Sequence, residues 1–138
     1  MEGSLEEFLQ TEPDPDNWIT LDRAGGVRMN TLWKDEETGA SVTLLEVPAG
    51  AGLPTRHVHA SNQFMYCLEG EYIYLEPPPG KVLKPGSLYM NPKGNPHGPT
   101  QATVFTRLLE IYDGPHYLET PDFNPHAHIA PGGSDTDE

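Results

Sequence analysis

Glycine and proline interrupt this chain too often to leave room for long helices. Fourteen glycines and 15 prolines stand among its 138 residues, about a fifth of the chain, where an average protein carries roughly 12%. Proline lacks the amide that a helix interior needs, and glycine loses the most backbone freedom on ordering, so elements between such breakers are short. What remains is a set of short strands joined by frequent turns, and an all-β domain is expected. The chain is too short for two separate cores, yet long enough to bury roughly two-thirds of its unfolded surface.

The apolar pattern agrees. Residues 27–33 (VRMNTLW) and 41–47 (SVTLLEV) read as strands around the turn-like 34–40. A Pro/Gly corner follows at 47–53, and 56–69 is rich in strand formers. Gly70 provides a tight turn into 71–76 (EYIYLE), short strands follow at 81–83 and 87–91, and 103–113 is the longest candidate. Seven or eight such strands suggest a closed barrel or jelly roll. The organisation expected is an acidic N-terminal arm over 1–20, a barrel domain over 21–120, and a Pro/Gly-rich acidic tail over 121–138, disordered from about Pro131. Ser4 and Glu7 fit a capping box, so Leu5, Phe8 and Leu9 form either one helical turn or a solvated arm.

Eight Lys and Arg against 21 Asp and Glu give a net charge of −13. That excludes a nucleic-acid binder, which needs cations to displace counterions from phosphate, and a polybasic membrane-surface protein. No apolar run approaches the roughly 20 residues of a membrane span, and the first residues lack a secretory pattern. A cytoplasmic protein is expected. The single cysteine, Cys67, leaves no internal disulfide and no cysteine-based zinc cluster.

Histidine spacing carries the chemistry. His57 and His59 stand one residue apart in a segment read as a strand, whose period of two turns both imidazoles to one face. Gln63 shares their parity. His97 follows the turn cluster Pro92–Pro96, and a barrel brings it beside His57 and His59. Two imidazoles from one strand and a third from a neighbour make a facial set for a divalent first-row ion. His126 and His128 repeat the spacing in the Pro-rich tail, where nothing surrounds them, and His116 also stands alone; no ligand role is expected for these three.

The segment Gly52…His57-Val58-His59-(three residues)-Gln63-(six residues)-Gly70 resembles the first cupin motif, G-(x)5-H-x-H-(x)3,4-E-(x)6-G. Gly86-(five residues)-Pro92-x-Gly94-(two residues)-His97 resembles the front of the second motif, G-(x)5-P-x-G-(x)2-H-(x)3-N. The resemblance implies a small single-domain cupin, a jelly-roll β-barrel, with His57, His59 and His97 as metal ligands. Three departures stand out. Gly52 is one residue too close to His57, the last asparagine is Gln101, and the glutamate ligand is Gln63.

Exchanging Glu for Gln alters the centre. A carboxylate leaves a divalent site near a charge of about +1, whereas three imidazoles and an amide leave it near about +2, a stronger Lewis acid and a better host for an anionic chelate. Gln63 then either ligates the ion or orients water or substrate beside it. Three-histidine cupins without the glutamate are similar to the dioxygenases that cleave β-diketones and aryl ketones. That likeness implies iron(II), dioxygen, and a small substrate bound neutral or as its enolate. Zn2+, Ni2+, Mn2+, Co2+ and Cu2+ accept the same donors. Similar motifs in the zinc-binding cupin domains of anti-sigma factors imply a sensing module without turnover, and an isomerase or lyase would use the site without dioxygen.

Parity sets Met65 and Cys67 behind the site as an apolar wall. Phe64, Tyr66 and Leu68 point outward and need cover from the second sheet, an arm or a partner subunit, and the resemblance, since cupins often pair, makes a homodimer the expectation. Arg107, Glu110, Tyr89 and Tyr112 are weaker candidates for acid–base or charge-neutralising groups, with surface pairing or packing as the simpler roles.

Overall fold

Nine strands and a single 3-10 turn over Asp22–Ala24 make up the regular structure of residues 5–124 and Ala127, the part the computed structural model describes. In chain order these are β1 (Trp18–Leu21), β2 (Val27–Lys34), β3 (Ser41–Val47), β4 (Gln63–Glu69), β5 (Tyr72–Tyr74), β6 (Lys81–Leu83), β7 (Leu88–Asn91), β8 (Thr100–Ala102) and β9 (Thr106–Tyr112). Six form a sheet in the order β1-β2-β3-β9-β4-β7, three form a second in the order β6-β5-β8, and every pairing is antiparallel. The expected all-β architecture is borne out, as two antiparallel sheets.

Register divides the inner face of the large sheet into two chemically different ends. Val47 pairs with Thr106, and Leu45 with Leu108, which pairs in turn with Cys67. Further along, Thr43 and Met65 flank Glu110, while Ser41 and Gln63 flank Tyr112. The apolar end meets Tyr72, Leu83 and Ala102 of the small sheet, and Leu21, Val27 and Met29 extend the same cluster. Leu108, Cys67 and Val47 are fully buried there. Each such side chain contributes roughly 1.5–3 kcal/mol if a Leu- or Val-sized group is wholly removed from water.

The corner before His57 depends on Gly52. A Cβ at that position would collide with the Thr100 carbonyl, so the strand β8 can pass against the corner only where position 52 has no side chain. Gly50 meets nothing comparable. This explains why the glycine one residue off the motif spacing serves the corner.

On the outer face, Leu109 pairs with Tyr66, which pairs with Leu88, and Ile111 pairs with Phe64, which pairs with Met90. Tyr66, Leu68, Leu88 and Met90 are exposed. The outward stripe expected on β4 is therefore present and continues onto the edge strand β7.

Several expectations shift. The segment 56–69 is not one strand: β4 starts at Gln63, and residues 56–62 bend irregularly with an isolated bridge at His57. The candidate over 103–113 is strand only over Thr106–Tyr112, seven residues against the eight of β2, and Thr100–Ala102 forms a separate strand in the small sheet. Trp18–Leu21 joins the large sheet, a strand hidden by the acidic residues before it. Residues 5–10 form no helix, and Leu5, Phe8 and Leu9 are exposed, as a solvated arm requires. Ser4, His126, His128 and the tail from Pro131 lie outside the described residues.

Candidate metal centre

Three imidazoles meet above the polar end of the inner face. Two backbone hydrogen bonds join the irregular segment to the chain at His97: His57 N donates to His97 O at 2.8 Å, and His97 N to His57 O at 2.9 Å. Other long-range bonds hold the bend that follows. Ala60 N donates to His116 O at 2.9 Å, Gly94 N to His59 O at 3.1 Å, and Asn62 N to Asp113 Oδ1 at 2.9 Å. These contacts, rather than strand parity, turn both side chains inward. The ring centroids lie 4.9 Å (His57–His59), 4.6 Å (His57–His97) and 5.0 Å (His59–His97) apart. One ring nitrogen from each falls within 4.8 Å of the others, a spacing that fits a divalent metal site.

Hydrogen bonds behind the rings decide which nitrogen faces inward. His57 Nδ1 lies 2.9 Å from Thr55 O, and His59 Nδ1 lies 3.2 Å from His116 O. A carbonyl only accepts, so each Nδ1 carries the proton and donates, which leaves Nε2 with its lone pair. His97 Nδ1 is held 3.1 Å from the Tyr89 hydroxyl. On the inner side His59 Nε2 and His97 Nε2 approach to 3.0 Å, and His57 Nε2 is buried with no hydrogen-bond partner. A buried, unpartnered nitrogen beside two converging ones is the donor arrangement that a cation satisfies.

Burial keeps these rings neutral. It pushes His59 down to about 2, helped by repulsion from His57 and His97. It pushes His97 down to about 3, helped by His57 and Lys81. His57 is also lowered by burial, against the opposing hydrogen bond to Thr55. The lone pairs are thus available at neutral pH without first losing a proton.

Aromatic rings close the surroundings. Tyr74 stacks on His97 at 4.7 Å, Tyr117 lies 4.8 Å from His59, and Phe123 lies 5.5 Å from His57. Gly98, with φ of 95°, supports His57 from behind, where an added Cβ would lie 3.1 Å from the ring and 2.9 Å from Thr55 O. Sequence reasoning missed Tyr74, Tyr117 and Phe123. For Tyr74 the signal was available: alternation in Glu71–Glu76 turns Tyr72 and Tyr74 to one face.

Below the imidazoles, Gln63 Nε2 donates to Glu110 Oε2 at 2.7 Å and to the Tyr112 hydroxyl at 3.2 Å. The carboxylate therefore fixes the amide with Oε1 on the other side, buried and unpartnered. Tyr112 OH also donates to Glu110 Oε2 at 3.1 Å and lies 3.1 Å from His59 Nδ1. Burial raises the Glu110 carboxyl above its usual range, although the bonds from Gln63 and Tyr112 pull it back. A carboxyl group contributed by β9 thus stands beside the histidine cluster, linked to His59 through Tyr112.

The other sequence candidates are distributed as follows. Met65 and Cys67 are buried behind Gln63. Tyr89 hydrogen-bonds His97, a closer role than packing. Arg107 faces outward and donates to Glu46 Oε2 from Nη2 at 2.7 Å, so it takes the surface-pair role. His116 is buried, bonds Ser41 at 3.0 Å and stacks on Tyr112 at 4.1 Å; it lies outside the three-histidine cluster but holds His59 through its carbonyl.

An interior cavity of about 30 Å3 adjoins the network, walled by Gln63, Met65, Glu110, Tyr112, Tyr117 and Phe123. A groove of about 410 Å3 is lined by Phe123 and His57. A larger cleft of about 770 Å3 runs along β2 to His116 and does not touch the three histidines. No helix among the described residues is long and apolar enough to cross a membrane.

Comparison with known structures reproduces the fold. An acetylacetone dioxygenase from Acinetobacter johnsonii is 19% identical, with a TM-score of 0.71 over 99% of this chain and 93% of that one. The complex of Rhodobacter sphaeroides SigE with the anti-sigma ChrR matches at 24% identity and a TM-score of 0.56, over 70% of this chain and 49% of that one. The Cnp3 cupin domain of Schizosaccharomyces pombe matches at 20% identity and a TM-score of 0.55, over 64% and 61%. No curated protein matches the sequence. The ChrR Cupin-like domain matches residues 7–116, a span that includes all three clustered histidines and the strands that carry their supports, and the chain belongs to this family.

Proposed function

We propose that His57, His59 and His97 hold one iron(II) ion through their Nε2 atoms, and that the protein is a dioxygenase cleaving a small β-diketone or hydroxyketone bound as its enolate. The observation that carries this reading is the convergence of three neutral imidazoles, each anchored at Nδ1, with no carboxylate among the clustered donors. When bound, iron(II) supplies Lewis acidity toward an enolate and an electron source for dioxygen. The chain's own groups do the rest. The Nδ1 bonds hold the rings in orientation. Gln63 offers Oε1 as an acceptor for a substrate hydroxyl or a water, with Glu110 keeping the amide from turning over. Tyr117 and Phe123 exclude bulk water. Likeness to an acetylacetone dioxygenase across nearly the whole chain supports the reading. It extends to a cytoplasmic homodimer joined through the outer faces of β4 and β7.

A second reading rests on the family itself: a zinc-bound sensing module without turnover, as the match to a ChrR-like domain suggests. Anaerobic loading with iron(II), followed by oxygen-uptake measurements over a panel of diketones and hydroxyketones, separates the two. Uptake that is stoichiometric with cleavage supports the dioxygenase. Absence of uptake at full iron occupancy leaves the sensor.

A further inference from the structure

The groove beside His57 gathers two of the chain's four arginines. Arg23, Pro54, Thr55, Arg56, Asp122 and Phe123 line it together with His57. Elsewhere arginine is committed to a carboxylate: Arg28 and Arg107 both reach Glu46, at 3.7 and 2.7 Å. In the groove Arg23 forms no ion pair with any described residue, and Arg56 meets Glu76 only at 4.0 Å, with both side chains about half exposed. Such a contact contributes little and is readily exchanged for a better anion. Asp122, also in the lining, leaves two guanidinium groups against one carboxylate. The protein's net charge of −13 does not override this, because charges more than roughly 8 Å away are largely screened at physiological salt.

The groove also borders the histidine cluster at His57. It shares His57, whose buried Nε2 lacks a partner, and Phe123 forms a wall of both the groove and the interior cavity. The interior cavity of about 30 Å3 holds a water and not a diketone. Of the three cavities, the groove is the one lined by a clustered histidine, so a ligand in it lies beside His57.

We propose that this groove selects a carboxylate-bearing dicarbonyl, with its carboxylate on Arg23 and Arg56 and its enolisable end directed past Phe123 to the histidines. The inference rests on the reading of the centre as a metal site for a chelating dicarbonyl, and it specifies an acidic rather than a neutral substrate.

Calorimetric titration of the zinc-loaded full chain with 2,4-dioxopentanoate and with its methyl ester tests it, since the two share the diketone and differ in charge. The acid is expected to bind at least about tenfold more tightly than the ester, the scale of one well-formed charge-assisted contact. The preference should vanish in the Arg23→Ala/Arg56→Ala variant while ester affinity holds, which also reports that the fold and metal site survive. Arg28→Ala, on the outer face, should retain it. Equal binding of acid and ester, or a preference that survives the double substitution, overturns the inference and leaves the metal-site reading standing. Binding of neither ligand to fully zinc-loaded protein overturns both.

Discussion

The inner face of the large sheet has two ends made by the same strands. At one, Leu45, Val47, Cys67 and Leu108 pack against Tyr72 and Ala102, and the buried hydroxyls among them are paired, Tyr72 with Thr100 Oγ1 at 2.6 Å and Thr106 with Glu71 O at 3.0 Å. At the other, β4 and β9 present Gln63, Glu110 and Tyr112, and the loops add three imidazoles. Burial is similar; its cost is not. The apolar end gains from leaving water, whereas the polar end must orient every group it buries and still leaves His57 Nε2 and Gln63 Oε1 unpartnered. Stability therefore resides in the first end, and the second gathers the groups that could hold an ion. Substitutions that act on one end and spare the other test that division.

The largest expected effect is at the apolar end. Leu108→Ala should lower unfolding free energy by about 2–5 kcal/mol, the usual range for a fully buried leucine, as read from urea titration. Metal affinity of the fraction that remains folded should hold. A large loss of affinity with little loss of stability would break the division.

The polar end should reveal itself through pH. In metal-free protein the three imidazoles have pKa values below that of the unfolded chain, so the unfolded chain takes up protons first as pH falls from about 6.5. Stability should then fall between pH 7 and pH 5, by up to roughly 2 kcal/mol for each fully shifted histidine. Glu110 works in the opposite sense. Its raised pKa makes the folded state bind a proton more readily than the unfolded chain, so its contribution favours folding as pH falls and offsets part of the loss. Urea midpoints at the two pH values should show a smaller drop for His59→Gln than for the natural chain. An equal drop would place the pH sensitivity elsewhere.

The smallest effect concerns ring support. Gly98→Ala should push His57 away from Thr55 and lower metal affinity by about tenfold, with the urea midpoint of metal-free protein moved less than by Leu108→Ala. An affinity like that of the natural chain would mean that the His57–Thr55 bond does not orient the ring.

The two ends also differ in how legible they are in the sequence. Alternation locates β3 residue for residue and shows that Gln63, Met65 and Cys67 share a face, because a half-buried strand has a local period of two. The cluster His57, His59 and His97 follows from motif spacing. The geometry that makes it work does not: residues 56–62 are shaped by Asp113, His116 and His97, all at least 35 residues away in the chain. Glu110 illustrates the same limit. Its strand parity was readable, but its bond to Gln63 depends on how β4 pairs with β9. Tyr117 and Phe123 come from a segment without periodicity, so no pattern marks their place over the imidazoles.

The central claim is that three specific imidazoles hold a divalent ion. Titration of metal-free protein with zinc against a competing chelator measures this directly. A single tight site per chain is predicted, retained in His126→Ala/His128→Ala and abolished in His57→Ala/His59→Ala/His97→Ala. No stoichiometric binding by the natural chain, or equal binding by the triple variant, would contradict it.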